Sequence, residues 1–155
     1  MKFEELLDRD GKFVYKTRGV SMLPMLRQER DLVVIEKPHG RLKKYDVALY
    51  RRGEAYVLHR VIKVCSDCYL IRGDNTYASE TVPDEAVIGV LTGFRRKGKE
   101  YSVTQQSYRC YVRFWTLIYP LRALYFRLRR FAVRAARRTG ILPVIKKVLG
   151  KGGKG

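Results

Sequence analysis

The stretch DVALYRRGEAYVLHRVIKV, residues 46–64, decides the fold of this chain. Its two runs of β-branched and aromatic residues flank a turn-forming Arg-Gly-Glu sequence at 52–54, and they therefore predict a β-hairpin. Side chains alternate between the two faces of a strand, so Val57, His59 and Val61 share one face of the second run. The hairpin thus places a histidine on an otherwise apolar strand.

Short strand-like segments continue on both sides of this hairpin at regular spacing. Together with the strands of the hairpin itself they are 13–17, 31–36, 46–50, 56–64, 69–72, 86–94 and 99–103. Two further turns, at 65–68 and 97–98, predict two more hairpins, and a short helix is expected over 1–10. Many short strands joined by turns are typical of antiparallel barrels, so we expect a mainly β, antiparallel barrel-like domain over residues 1–106.

The periodicity changes from strand-like to helical at about residue 107. Apolar residues then recur every three or four positions, at Leu121, Leu124, Tyr125, Leu128, Phe131, Ala132 and Ala135. Arginines occupy the other side of the same helix, at Arg122, Arg127, Arg129, Arg130, Arg134, Arg137 and Arg138. Gly140 and Pro143 predict the end of this helix, with a last turn at 145–149. We therefore expect residues 107–155 to form a basic amphipathic helical tail.

Positive charge is concentrated in this tail. The chain of 155 residues has a formal net charge of +18, and residues 101–155 hold 13 Lys and Arg and no acid. Such a segment favours a polyanionic partner, either a membrane or a nucleic acid. The helix pairs an apolar face with a cationic face, and it follows the segment 111–119, whose aromatic residues favour the headgroup region. Both features predict that the helix lies on an anionic membrane surface. A helix packed into a core would show the same apolar stripe.

The sequence shows neither the pattern of a signal peptide at its start nor an apolar run long enough to span a membrane. The expectation is therefore a location in the cytoplasm or at the inner face of the membrane. The length of the chain favours one domain with a modest core.

A turn with catalytic potential lies at 19–26, Gly-Val-Ser-Met-Leu-Pro-Met-Leu. A serine between a glycine and a proline-stiffened turn can present its hydroxyl as a nucleophile and its backbone N–H to an oxyanion, so Ser21 is the candidate nucleophile. Serine is also a common structural residue in turns. His59 is the candidate general base, because a neutral imidazole beside a serine makes the hydroxyl nucleophilic near neutral pH. A histidine on an apolar strand is also commonly a structural residue with a satisfied hydrogen bond. His39, in a Pro-His-Gly loop, is interpreted as a turn residue.

Two carboxylates are candidates for the group that orients His59. Asp74 lies in the sequence Arg-Gly-Asp-Asn at 72–75, and Glu80 follows six residues later. A carboxylate bound to the imidazole would stabilise its protonated form during acyl transfer. Asp74 fits this role and a turn-forming role equally well, and Glu80 also fits an exposed loop acid. The residues by themselves leave the choice open.

Taken together, these motifs resemble the signal peptidase I family of serine peptidases. The resemblance covers roughly residues 13–95 in order and spacing, and it is carried by the nucleophile box at 19–26, the strands from Asp31 and Tyr45, and the boxes at 59–64 and 72–75. Common bacterial members use a lysine base, whereas His-Arg-Val at the second box is similar to the archaeal and endoplasmic-reticulum type. The resemblance implies an endopeptidase that cleaves a peptide or preprotein precursor after small residues, through an acyl-enzyme at Ser21 with His59 as base.

The sequence departs from the family pattern at three places. Glu80 stands where the Ser-His type has its catalytic aspartate, so either Glu80 or Asp74 completes a triad. Gly19 offers no side-chain hydroxyl to an oxyanion hole, which leaves this role to the backbone N–H of Ser21. The usual N-terminal membrane anchor has no counterpart, so the expected substrate is a cytoplasmic or membrane-associated precursor.

Other interpretations rest on weaker signals. Cys65 and Cys68 have the spacing of half a zinc site or of a redox pair, but a second close-spaced ligand pair is lacking, and no metal or cofactor is expected. The Arg- and Tyr-rich segment would also suit nucleic acid, the less favoured partner. Self-cleaving repressor proteases share the β architecture by resemblance, but a DNA-reading domain has no room before Ser21. A non-catalytic protein on a peptidase-like fold is opposed by the presence of both Ser21 and His59.

Overall fold

The computed structural model describes residues 2–138 of the chain, with side chains as far as residue 135. Its helices are α1 (Phe3–Asp10), α2 (Gln106–Leu117) and α3 (Tyr119–Arg138), and a short 3₁₀ turn lies at Asp84–Ala86. Its strands are β1 (Lys12–Lys16), β2 (Leu32–Glu36), β3 (Val47–Arg52), β4 (Ala55–Val64), β5 (Cys68–Arg72), β6 (Glu80–Pro83), β7 (Val87–Arg96) and β8 (Lys99–Ser102).

All of these strands belong to one antiparallel sheet. Seven of them follow the spatial order β1-β2-β7-β3-β4-β5-β6, and β8 pairs with β7. The order places β3 and β4, which form the predicted decisive hairpin, inside the sheet. The first four residues of β3, Val-Ala-Leu-Tyr, are all buried, as expected of a short continuous apolar run that is covered on both faces.

The sheet is open rather than closed. Its end strands β1 and β6 do not pair with each other in the described part of the chain. The prediction of a mainly β, antiparallel fold is therefore confirmed, whereas closure into a barrel is not found. Closure requires an unbroken ladder between the first and last strands, and here β1 pairs with β2 and β6 with β5.

Alternation along the central strands divides the buried side chains between two clusters. The larger cluster includes Val47 and Leu49, and the smaller one includes Ala48 and Tyr50. The larger cluster also includes buried residues of α1, of α2 and of the loop after β1, namely Leu7, Tyr108, Val112, Met22, Met25 and Leu26. The smaller cluster is built on β4, β5 and β6, with Val61, Tyr69, Ile71 and Val82.

The three predicted hairpins are all present, as β3–β4, β4–β5 and β7–β8. The one strand without a sequence prediction is β6. Its four residues, Glu-Thr-Val-Pro, are too few to establish a period, and its terminal proline is unfavourable in a strand. Pairing with β5 therefore defines this strand.

The chain divides into two compact units, Met1–Trp115 and the segment from Thr116 onward. The sequence placed the boundary after residue 106, at the start of α2. In the structure, Tyr108 and Val112 of α2 are buried in the larger cluster, so most of this helix belongs to the sheet domain.

Two helices, α2 and α3, stand where the sequence predicted one helical tail. Pro120 lies in the first turn of α3, where a missing amide hydrogen removes no helix hydrogen bond. The predicted helix end at Gly140 and Pro143 and the last turn at 145–149 lie outside the described residues. Between residues 2 and 138, no helix combines the length and the apolar character that crossing a membrane requires.

Candidate active site

Ser21 lies in the loop between β1 and β2, and this loop is held in place on both sides of the serine. Gly19 has φ of +82°, a conformation that glycine adopts without strain. Its N–H donates to Oε1 of Gln28 at 3.2 Å. The side chain of Met22, immediately after the serine, is buried in the larger cluster. Ser21 is therefore presented on an anchored turn, with its own side chain partly exposed.

The loop after β5 holds the serine turn from the other side. The backbone N–H of Asn75 donates to the carbonyl oxygen of Ser21 at 2.7 Å. The side-chain amide of Asn75 donates to the carbonyl oxygen of Val20 at 3.1 Å. The indole N–H of Trp115 donates to the carbonyl oxygen of Asp74 at 2.9 Å and ties the same loop to α2. The Gly-Asp-Asn turn thus fixes the backbone of the candidate nucleophile.

His59 lies on β4 with its ring almost fully buried. Its Nδ1 is 3.2 Å from Oε1 of Glu80 and 3.1 Å from the hydroxyl oxygen of Tyr50. The Tyr50 hydroxyl itself donates to the same oxygen of Glu80. Since that proton is committed to Glu80, both oxygens near Nδ1 act as acceptors and favour the hydrogen on Nδ1. Nε2 is then unprotonated, which is the form that a general base requires.

The register of the sheet explains how Glu80 reaches His59 from another part of the chain. Val61, two residues after His59, pairs with Ile71 of β5, and Ile71 pairs with Glu80 of β6. Directly paired residues project from the same face, as do residues two apart. Tyr50 reaches this face from β3, on the other side of β4. Three strands therefore contribute to one cluster of polar groups.

Gly73 marks the point where the serine turn meets His59. A methyl group in place of its hydrogen would lie 2.7 Å from the carbonyl oxygen of Ser21 and 3.0 Å from Nε2 of His59. The backbone of the nucleophile and the nitrogen of the base thus converge on one point, where only glycine leaves room. Among the described contacts, no hydrogen bond joins the Ser21 hydroxyl to Nε2. Catalytic hydrogen bonds are often long without substrate and tighten when it binds.

Burial is the largest single influence on the pKa of each group in this cluster. It lowers the pKa of His59 below its ordinary value of 6.5, while the Glu80 carboxylate acts in the opposite direction. Burial acts to raise the pKa of Glu80, but the Tyr50 hydrogen bond, the positive charge of Arg52 and the contact with His59 bring it below its ordinary value. Burial, reinforced by Glu80, raises the pKa of Tyr50. At neutral pH the three groups are a neutral imidazole, a carboxylate and a phenol.

Asp74 is bound by Arg60. The guanidinium donates from Nε to Oδ1 at 2.8 Å and from Nη2 to Oδ2 at 2.7 Å, and the two side chains are only 2% and 4% exposed. Tyr111 of α2 also donates to Oδ2, at 3.2 Å. Nη1 of Arg60 donates to the carbonyl oxygen of Tyr45 and to the hydroxyl of Tyr108, both at 3.0 Å. Asp74 therefore belongs to a buried network that joins the loop after β5 to α2.

Ser21 and His59 both line a cleft of about 880 Å³. Its walls come from β1, the loop that follows it, the beginning of β4 and the loop after β5, and they include Tyr15, Thr17, Gly19, Met22, Leu58 and Thr76. No acceptor among the described residues takes the backbone N–H of Ser21. This N–H is therefore available to stabilise a developing oxyanion.

The structure places Ser21 and His59 along one cleft and Glu80 against His59, and it gives Asp74 a different partner. Sequence reasoning missed Tyr50, Arg52 and Asn75. The signal for Tyr50 was present, since the hairpin register and the alternation along β3 place it on the same face as His59. Arg52, whose Nη1 is 3.3 Å from Oε2 of Glu80, carried no such signal. Asn75 stands in the box at 72–75, but its role in holding the serine turn could not be read there, because its contacts cross to a separate segment.

Cys65 and Cys68 are free thiols at the turn between β4 and β5, where the N–H of Cys65 donates to the carbonyl oxygen of Cys68 at 2.9 Å. Cys110 is exposed on α2. Within the described part of the chain, no group of three or more His, Cys, Asp or Glu side chains is placed to hold a metal ion.

The sequence matches no protein-family model and no curated protein.

Proposed function

We propose that this chain is a serine endopeptidase of the signal peptidase I type, which cleaves a peptide or preprotein precursor through an acyl-enzyme at Ser21. The position of His59 carries the proposal. Its Nδ1 lies against Glu80, and its Nε2 faces the turn of Ser21 across Gly73. A base held on one side by a carboxylate and directed on the other side at a serine is the arrangement that acyl transfer requires.

In the acylation half, Oγ of Ser21 attacks the carbonyl carbon of the scissile bond while Nε2 of His59 takes the hydroxyl proton. The carbonyl oxygen becomes an oxyanion and accepts a hydrogen bond from the backbone N–H of Ser21. The imidazolium then gives its proton to the leaving amine as the C–N bond breaks. The products of this half are the free amine and an ester at Ser21.

In the deacylation half, a water molecule attacks the ester carbon and His59 takes the proton of the water. The proton passes to Oγ as the C–O bond to Ser21 breaks, which releases the carboxyl product and restores the enzyme. Glu80 stabilises the imidazolium in both halves. Tyr50 and Arg52 keep Glu80 ionised, because each binds the carboxylate form.

A cleavage assay tests this proposal. The full chain is incubated with precursor peptides that have small residues before candidate cleavage sites, and the products are identified by mass spectrometry. Ser21→Ala and His59→Ala should each reduce cleavage by about 10³-fold or more, and the double variant should be scarcely worse, because the two residues act as a unit. Ser66→Ala and His39→Ala are matched controls, since both side chains are exposed and neither lines the cleft. Both controls should cleave like the wild type.

Cleavage in water enriched in oxygen-18 gives a second readout. The new carboxyl terminus should carry the label from the deacylating water. Acid quenching should trap the acyl segment, which ends at the cleaved carbonyl, as an ester on Ser21. Cleavage that persists in Ser21→Ala, or His59→Ala with turnover near that of the wild type, would refute the assignment. A wild type that cleaves none of the peptides would contradict the proposal in the same way.

A further inference from the structure

The apolar stripe of α3 is exposed. Five of its large side chains are between 53% and 74% exposed, namely Leu121, Leu124, Tyr125, Leu128 and Phe131. They are spaced three or four residues apart and therefore lie along one side of the helix. Both buried clusters are formed by residues before position 116. A continuous exposed apolar surface of this kind marks an interaction site.

Cations border this stripe. At 3.6 residues per turn, Arg127 and Arg129 project to its opposite flanks and Arg134 lies farther round the helix. All three side chains are exposed. The last acid of the sequence is Glu100, so no carboxylate one turn away in the helix offsets their charge. The stripe and its flanks thus form an apolar surface framed by positive charge.

We propose that α3 binds the surface of an anionic lipid bilayer and lies in the plane of the interface, with its stripe toward the acyl chains. Aliphatic and aromatic side chains enter the headgroup–acyl boundary, and flanking arginines reach the lipid phosphates along their alkyl stems. Such a surface satisfies both chemistries of the helix together.

Other occupants would satisfy only one of these chemistries. A nucleic acid would neutralise the arginines but leave most of the apolar stripe in water. A second copy of the helix would cover the stripe but bring two sets of like charges together. An anionic bilayer therefore accounts for both the composition and the exposure of α3. This inference does not depend on the peptidase activity.

Co-sedimentation of the full chain tests the proposal, with vesicles of phosphatidylcholine alone and of phosphatidylcholine mixed with phosphatidylglycerol. The wild type should pellet with the mixed vesicles, less so at high salt, and stay in solution with phosphatidylcholine alone. Replacing Arg127, Arg129 and Arg134 together by glutamine should lower the partition coefficient by about two orders of magnitude. The matched control, in which the same three arginines become lysine, should bind like the wild type.

A second variant, Leu124→Ser, Leu128→Ser and Phe131→Ser, separates membrane insertion from simple charge attraction. It keeps every cation and should lose binding to the mixed vesicles. These positions are exposed, so its thermal unfolding should match that of the wild type. Undiminished vesicle binding by this variant would overturn the proposal. Preferential binding to RNA that survives the serine substitutions, or self-association that they abolish, would overturn it in favour of a nucleic acid or a second copy of the chain.

Discussion

Nδ1 of His59 lies 3.2 Å from Oε1 of Glu80, although β5 separates the strands that carry the two residues. This contact distinguishes two carboxylates between which the sequence left the choice open. Asp74 gives both of its oxygens to Arg60 and supports the loop behind the serine turn. In the proposed enzyme, Glu80 is the group that orients the base.

Glu80→Gln should lower turnover by about 10² to 10⁴-fold while leaving Ser21 and His59 in place, because an amide neither stabilises the imidazolium nor fixes its tautomer. Steady-state cleavage of a peptide substrate measures the effect. Glu54→Gln is the matched control, since that side chain is 96% exposed and should retain full turnover. Equal turnover of Glu80→Gln and Glu54→Gln would remove Glu80 from the mechanism.

The dependence of kcat/KM on pH should report the titration of His59. Because the neutral imidazole is the active base and burial lowers its pKa, activity should rise with pH through a midpoint below 6.5. Removing the negative charge in Glu80→Gln should move the midpoint lower. Removing the positive charge in Arg52→Gln should move it higher, because Arg52 acts to lower the pKa of His59. The reverse order of the three midpoints would contradict the electrostatic arrangement.

Gly73→Ala should lower kcat strongly, with only a small change in the melting temperature. The added methyl group would lie 2.7 Å from the carbonyl oxygen of Ser21 and 3.0 Å from Nε2 of His59, so the serine turn and the imidazole must move apart. A shift of this kind at a reacting pair can cost about 10²-fold in rate. Gly98→Ala is the opposite case, because its φ of +77° strains any other residue while its surroundings are open. It should lower the melting temperature and leave kcat unchanged.

Asp74→Asn should destabilise the domain by about 3 to 5 kcal/mol, since it leaves the guanidinium of Arg60 buried without its counter-charge. Urea unfolding followed by circular dichroism measures the loss. Asp67→Asn, at an exposed turn, should unfold like the wild type. The double variant Arg60→Met with Asp74→Leu should lose less than the sum of its single variants, because the two charges disappear together. Strict additivity would show that the pair is not energetically coupled.

Much of the fold follows from patterns that are local in the sequence. Alternation and turn residues are sufficient to predict β1 to β5, β7 and β8, because each signal lies within a few residues. The strand β6 and the open edges of the sheet carry no such local signal. They depend on which strands pair, and pairing is decided by contacts between distant segments. The place of α2 in the sheet domain likewise depends on the burial of Tyr108 and Val112 against residues far away in the chain.

The sequence by itself determined the candidate nucleophile and base, Ser21 and His59, and the separation of a mixed-charge β domain from a cationic amphipathic helix. These properties depend on residue type, order and short spacing, which a linear chain displays directly. Only the tertiary structure decided that Glu80 rather than Asp74 lies against the imidazole and that Tyr50 and Arg52 hold Glu80 there. Two strand pairings set this arrangement, β4 with β5 and β5 with β6. The register of paired strands is a long-range property, because a slip of one residue would turn Glu80 to the other face of the sheet.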